Sequence, residues 1–183
     1  KWENPFADVC EDDWFYDAAR YTHKNGLING VSDTEFAPNS DITRAMFVTI
    51  LYRSENEPAA ENSAFTDVEK DSYYEKAVAW ASANAIVSGV SEDRFEPNEP
   101  ITREQMAAII YRFAAYKGYD TGANGSAAYK DNGEISDYAK EAVIWTSEKS
   151  IMKGNPDGTF APKANTTRAQ VAAVFMRIFE NLK

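Results

Sequence analysis

The chain has 183 residues, of which 44% are hydrophobic and 13% aromatic, so it can bury a core without a metal or disulfide staple. Its formal net charge of −10 argues against nucleic-acid binding, because phosphate contacts need clustered Lys and Arg. No run of about 18 apolar residues is present, so membrane insertion is not expected. The single cysteine, Cys10, cannot form an internal disulfide and leaves the compartment open. The start at Lys1, with no apolar stretch after it, suggests a mature protein or an excised fragment.

One sequence unit occurs three times in the chain. Residues 6–53 align without a gap on residues 65–112, and much of the pattern recurs near the end of the chain. The sharpest copies each contain a Thr-Arg step and lie at 41–45, 100–104 and 165–169. Repetition of this kind indicates one supersecondary unit stacked on its own copies.

The repeats divide the chain into three predicted modules, at residues 1–60, 61–122 and 123–183. The modules are separated by segments in which polar and small residues collect, around 55–63 and around 118–127. Three units are also the usual minimum for burying the apolar face of a repeat. We therefore expect the modules to fold together.

Each module has the pattern of a helix, a loop and a second helix. In the first module, the apolar spacing predicts a helix over residues 14–25. Trp14, Ala18, Tyr21 and Thr22 would lie on one side of it. Gly26 follows, where a left-handed residue would end the helix.

The loop and the second helix of each module are also predicted from their residue patterns. Gly, Pro, Asn and Asp form the loop, and the Phe in its middle is expected to plug the core. These plugs are Phe36, Phe95 and Phe160. The second helix has a clear apolar stripe, as in Phe47, Ile50 and Leu51. We predict a mainly α fold in which the three second helices form a central bundle.

The Thr-Arg step predicts how each second helix begins. A Thr at this position can cap the helix by accepting a backbone N–H, and these residues are Thr43, Thr102 and Thr167. Gln105 and Gln170 can complete a capping box in the second and third modules, whereas Met46 cannot do so in the first.

Capping explains the Thr of this step but not the Arg. The arginines, Arg44, Arg103 and Arg168, would each face the positive end of a helix dipole. A guanidinium beside free helix N–H groups is a receptor for a carboxylate or phosphate. The alternative is a structural clamp, in which each Arg pairs with an acidic residue of the neighbouring module.

The combined motifs resemble the S-layer homology family over essentially the whole chain. They are Phe6-x-Asp8-Val9, an aromatic helix, Gly30 followed six residues later by a Phe-x-Pro, and then Ile-Thr-Arg. The family motif usually reads Thr-Arg-Ala-Glu, so Met46, Gln105 and Gln170 replace its Glu, and Glu104 stands where Ala is usual. The third module also departs from the pattern at 129–132, which is expected to loosen the groove that this segment lines.

The resemblance implies a pseudo-threefold spindle with a central three-helix bundle. It also implies that grooves between modules bind secondary cell wall polysaccharide, commonly through a pyruvylated N-acetylmannosamine. The chain would then be an extracellular, noncovalent anchor on the cell wall of a Gram-positive type envelope. It would be fused to, or part of, a larger surface protein.

Several repeated residues are candidate ligand contacts beside the arginines. Aromatic residues that could stack on a sugar, or belong to the wall and core, are Trp14, Tyr73 and Tyr138. Acids that resemble acceptors of sugar hydroxyls, or are ordinary turn residues, are Asp33, Glu92 and Asp157. Glycines expected to have a positive φ and, by resemblance, to admit the ligand are Gly30, Gly89 and Gly154. We expect one dominant site that depends on Arg103.

Other functional classes are disfavoured. No carboxylate stands out from the repeat as a catalytic position, and His23 is the only histidine, so we predict no enzyme and no metal or other cofactor. The segment 155–158 lacks the run of oxygen ligands at alternate positions and the closing Glu of an EF-hand calcium loop. The main alternative to glycan binding is a protein–protein self-assembly module of a surface layer.

Overall fold

The computed structural model describes residues 2–126 and 128–182, and this part of the chain is mainly helical. Its helices are α1 Tyr16–Lys24, α2 Arg44–Ser54, α3 Glu75–Ala83, α4 Arg103–Tyr116, α5 Lys140–Glu148 and α6 Arg168–Asn181, with 3-10 turns at Asn132–Glu134 and Asp137–Ala139. The mainly α fold is confirmed, with one helix, loop and helix in each predicted module. None of the described helices is both long and apolar enough to cross a membrane.

The second helices begin where the Thr-Arg step predicts. Thr43 accepts the backbone N–H of Met46 and caps α2. Thr102 and Thr167 cap α4 and α6, and each forms a complete capping box with the Gln at the third helical position. Met46 has no amide to return the bond, so α2 has the incomplete start that the sequence predicts.

The first helices begin later than the sequence predicts. Trp14 precedes α1 and is 67% exposed, whereas Phe15 is buried. Tyr73 likewise precedes α3. The prediction that Trp14 begins the first helix is therefore wrong, because the helix starts two residues later and Phe15 takes the core position instead.

Helices of different modules pack against each other. α2 packs against α3, α4 against α5, and α6 against α1. Aromatic pairs join these helices, including Tyr52 with Trp80 at 5.6 Å and Tyr111 with Trp145 at 5.7 Å between ring centroids. Each first helix is thus covered by the second helix of another module. The pseudo-threefold axis and central bundle stay predictions.

Three buried backbone segments link the modules in a closed cycle. The N–H of Ile42 donates to the carbonyl of Thr166 at 2.9 Å, and the N–H of Ile101 donates to the carbonyl of Ile42 at 2.9 Å. The N–H of Thr166 then donates to the carbonyl of Ile101 at 3.1 Å. All three residues are fully buried. We call these three bonds the backbone ring.

Each loop is fastened within its own module by one carboxylate. Asp67 accepts the backbone N–H groups of Phe95 and Glu96, both at 2.8 Å, and Asp8 and Asp131 make the same pair of bonds. Burial alone would raise the pKa of Asp67, but these N–H groups outweigh it and hold the pKa below its ordinary value. The Phe plugs Phe36, Phe95 and Phe160 are fully buried, as predicted.

The unusual entry of the third module keeps these contacts. Tyr129 packs on Phe160 with ring centroids 5.3 Å apart, as Phe65 packs on Phe95 at 5.6 Å. Asp131 holds its loop as Asp67 does. The departure at 129–132 is therefore accommodated without loss of the loop anchor.

Candidate functional site

A groove with a volume of about 400 Å³ is built from all three modules. We call it groove A. Its walls are formed by Arg44, residues 87–90, Gln105, Ala108, Ile109, Arg112 and Tyr138. Three of the predicted ligand contacts, Arg44, Gly89 and Tyr138, come together here although they lie in three different modules. Glu92 is not part of these walls.

Arg44 is a buried cation with spare donors. Its side chain is 5% exposed, its Nε donates to the carbonyl of Phe95 at 2.9 Å, and its guanidinium lies 4.6 Å from the centroid of the Phe95 ring. Burial lowers the pKa of Arg44, while the nearby carboxylates of Glu96 and Asp67 act in the opposite direction. Within the described part of the chain, its two terminal nitrogens have no hydrogen-bond acceptor.

Arg103 and Arg168 each donate two hydrogen bonds to a neighbouring module. Arg103 donates from Nε to the carbonyl of Phe160 at 2.6 Å and from Nη2 to the carbonyl of Lys153 at 2.9 Å. Arg168 donates in the same way to Phe36 and Asn29, both at 2.6 Å. The clamp interpretation is therefore right about the role but wrong about the partner.

Carbonyl groups rather than carboxylates accept these bonds. Among the described residues, none of the three Thr-Arg arginines forms an ion pair. The carbonyls of the three Phe plugs are buried against the helix starts and need donors, which the Nε of each guanidinium supplies. Arg44 differs from its two counterparts because only its Nε is used in this way.

A second repeated arginine lines groove A. Arg112 follows Arg103 on α4 at the spacing that separates Arg53 from Arg44 and Arg177 from Arg168. Arg53 and Arg177 each donate to a loop carbonyl of their own module, at 3.4 and 3.3 Å. Arg112 makes no hydrogen bond or ion pair in the described ranges. The sequence signal for this residue is the arginine that recurs at the same position of every second helix.

Tyr138 forms the wall of groove A that the third module contributes. Tyr138 is 54% exposed, and its hydroxyl donates to Oε1 of Glu104 at 3.3 Å. Burial and the negative charge of Glu104 raise the pKa of Tyr138 to about 12, so the hydroxyl keeps its proton. Trp14 and Tyr73 are also exposed, so a core role is wrong for all three. The buried tryptophans of α3 and α5 are Trp80 and Trp145.

The repeated glycines are required by loop packing and not by their own φ. Gly30, Gly89 and Gly154 do not have a positive φ, which is found at Gly26, Gly118 and Gly158 instead. They are glycines because a Cβ would collide with the packed loop. At Gly89, it would lie 2.3 Å from the carbonyl oxygen of Ser91 and 2.7 Å from the Phe65 ring. The prediction that these glycines bind ligand stays a prediction.

The candidate acids lie on the surface. Asp33, Glu92 and Asp157 are exposed turn residues. Asp157 uses its carboxylate locally, accepting the backbone N–H of Thr159 at 2.9 Å and the Thr159 hydroxyl at 2.7 Å. A role of these acids as acceptors of sugar hydroxyls stays a prediction. Among the described residues, no three His, Cys, Asp or Glu side chains are grouped as a metal site would require.

Comparison with known proteins identifies the repeated unit. The family model of the S-layer homology domain matches residues 5–46, 64–107 and 128–172. The three matches fall in the three modules that the sequence predicts, and together they span most of the chain. The exact module boundaries stay predictions.

The relatives that contain a similar sequence are much longer proteins. An endoglucanase from Bacillus sp. (strain KSM-635) is 36% identical over 93% of this chain, which covers 18% of that protein. An amylopullulanase from Thermoanaerobacterium thermosulfurigenes is 31% identical over 98% of the chain, which covers 10% of that protein. A cellulosome-anchoring protein from Acetivibrio thermocellus is 30% identical over 84% of the chain, which covers 35% of that protein. This chain belongs to the S-layer homology domain family as three tandem modules, and it is an extracellular cell-surface anchoring module.

Proposed function

We propose that the chain tethers a larger surface protein by binding an acidic secondary cell wall polysaccharide of the pyruvylated N-acetylmannosamine type. Groove A would be the main binding site, and the polysaccharide would belong to a cell wall of the Gram-positive type. The observation that carries this proposal is the pair Arg44 and Arg112, whose unused donors line the same groove as the exposed ring of Tyr138.

A pyruvyl carboxylate matches the chemistry of groove A. Two guanidinium groups can hold it by charge-assisted bonds worth about 1.5–3 kcal/mol each. Tyr138 offers an aromatic face for the sugar ring, and Gly89 lines the same groove. Gln105 uses its amide oxygen in the capping box of α4, which leaves its NH₂ group as a further donor.

Local charge decides where an acidic glycan can bind. The chain as a whole is acidic, with a net charge of −10, so most of its surface repels a polyanion. Arg44 and Arg112 form a local exception within a groove. Arg103 and Arg168 already have two carbonyl acceptors each, so we rank their grooves below groove A, although the sequence favoured Arg103.

We assign no enzymatic activity to this chain. It covers only 18% of the endoglucanase and 10% of the amylopullulanase. We propose that catalysis in proteins of that kind belongs to the remaining length, and that the module described here holds the whole protein at the wall.

Calorimetric titration with pyruvylated N-acetylmannosamine tests the proposal. We expect binding by the unaltered chain and at least tenfold weaker binding by Arg44→Ala and by Arg112→Ala. Arg20→Ala is the matched control, because Arg20 pairs with Asp17 on the surface of α1. Binding to wall sacculi should also disappear after acid removal of their polysaccharide. Self-association of the chain without any response to the glycan would favour the self-assembly alternative instead.

A further inference from the structure

Glu104 is a buried acid at a position where the other modules have alanine. It is the second residue of α4 and only 3% exposed. Ala45 and Ala169 take the corresponding positions in α2 and α6, and both are buried. The helix start therefore folds without an acid, and burial of a charge there is costly unless it is fully compensated.

Among the described residues, the hydrogen-bond partners of the Glu104 carboxylate all come from the third module. The backbone N–H of Ser136 donates to Oε2 at 2.9 Å, and the Ser136 hydroxyl donates to Oε1 at 2.9 Å. The hydroxyl of Tyr138 and the ammonium of Lys163 also donate to Oε1. Lys163 reaches back to the Ser136 hydroxyl at 2.5 Å. One carboxylate thus gathers three residues across the boundary between two modules.

The neighbouring sequence fits this arrangement at one boundary only. Where the third module has Ser136, the first and second modules have Asp12 and Asp71. An acid in place of Ala45 or Ala169 would meet a negatively charged side chain where Glu104 meets the hydroxyl of Ser136. The contacts of Glu104 are therefore particular to the boundary that carries Tyr138.

We propose that Glu104 is a positioning residue of groove A, which holds the hydroxyl of Tyr138 and so fixes the aromatic wall that faces the ligand. The ligand part of this inference rests on the proposed glycan binding. Glu104 is not among the walls of the groove, so it would act through Tyr138. Ser136 and Lys163 hold the carboxylate in place. Preorganisation of this kind strengthens binding because less freedom is lost when the ligand arrives.

Titration of Tyr138 tests the contact without any glycan. In the chain labelled with ¹³C at the ring carbon that carries the hydroxyl, Tyr138→Phe assigns the signal. Because the negative charge of Glu104 disfavours tyrosinate, we expect the pKa of Tyr138 to fall in Glu104→Ala. Glu134→Ala is the matched control, since Glu134 is an exposed acid on the nearby 3-10 turn. A Tyr138 titration that does not change in Glu104→Ala would overturn the inference.

Binding of pyruvylated N-acetylmannosamine tests the consequence. We expect Glu104→Ala and Tyr138→Phe each to weaken binding about fivefold, and the double variant to weaken it no further, because both remove the same contact. Glu104→Gln, which keeps an oxygen acceptor, should recover part of the loss. Additive losses in the double variant would count against positioning through Tyr138. If the unaltered chain and Glu104→Ala bind equally well, this inference fails while the proposed function stands. If the unaltered chain does not bind, the proposed function fails. The titration of Tyr138 then still decides whether Glu104 contacts its hydroxyl.

Discussion

The three Thr-Arg arginines share a position in their modules but not a set of bonds. Arg103 and Arg168 each satisfy two loop carbonyls of another module, whereas Arg44 satisfies one. A repeated residue can therefore be mainly structural in two copies and available to a ligand in the third. We therefore expect Arg103 and Arg168 to contribute mainly to stability and Arg44 mainly to ligand binding.

We expect Arg103→Ala to destabilise the fold more than Arg44→Ala does. The first change leaves the buried carbonyl of Phe160 and the partly buried carbonyl of Lys153 without their donor and should cost about 2–4 kcal/mol of unfolding free energy, and the second about half as much. Denaturant unfolding of both variants measures this. Glycan binding should follow the opposite order, with Arg44→Ala the weaker binder. An Arg103→Ala variant as stable as the unaltered chain would contradict the role assigned here.

Acid should weaken the contact made by Glu104. Burial alone would raise the pKa of Glu104, but the bonds from Lys163 and Ser136 outweigh it and hold the pKa below its ordinary value of 4.5. A carboxyl whose pKa is lower in the folded chain stabilises the fold above its unfolded pKa, and that stabilisation is lost as the pH falls through the folded pKa. The difference in unfolding free energy between the unaltered chain and Glu104→Ala should therefore shrink below pH 4.5.

Unfolding by denaturant from about pH 6 to about pH 3 measures this difference. Asp67 and Asp131 also have lowered pKa values and will destabilise the chain in acid, but they do so in both proteins and cancel in the comparison. A gap between the two proteins that stays constant over this range would show that Glu104 does not contribute its charge to stability.

At the scale of helices, the first helix of each module ends in the same way. The residue just beyond the cap has a left-handed φ, and these residues are Gly26 at 66°, Ala85 at 57° and Ser150 at 55°. This conformation costs a residue with a Cβ about 1–2 kcal/mol, whereas glycine adopts it freely. The second and third modules therefore contain strain that the first avoids.

We expect Ala85→Gly and Ser150→Gly to stabilise the chain by up to about 1 kcal/mol. The relief of backbone strain should exceed the extra entropy that glycine adds to the unfolded chain. Ala115→Gly is the control, because Ala115 lies within α4 and glycine should cost about 0.5–1 kcal/mol there. Thermal unfolding of the three variants gives the order. A loss of stability in both end variants would mean that these helix ends are not strained.

What the sequence could predict depended on the range of the interaction. The caps at Thr102 and Thr167 need only residues three positions apart, so their geometry follows from local pattern. The acceptor of Arg103 is a carbonyl 57 residues away, and its identity depends on which loop the packing of the modules brings to that helix start. The role of Gly89 was misread for the same reason. Its constraint is the Phe65 ring and a folded loop, not its own φ.

For the whole molecule, the packing between modules implies joint folding. The fragment 64–116 contains α3 and α4 but lacks their partners α2 and α5. It also lacks two of the three segments of the backbone ring. We expect this fragment to be largely unfolded by circular dichroism, with no sharp thermal transition, since its apolar stripes would face water. A cooperative melt of the fragment alone would contradict this prediction.

The backbone ring has a topological consequence. The three bonds form a cycle, so no module holds a unique first position in it. The two ends of the chain also lie near each other, because α6 packs directly on α1 and Trp2 and Glu180 line one cavity. The order in which the modules are connected should therefore matter less than the fact that all three are present. We expect a circularly permuted chain, opened between residues 55 and 63 and joined by a flexible linker between its original ends, to melt in a single transition and to keep groove A. The position of the chain termini would then affect how the polypeptide is synthesised but not how the three modules assemble.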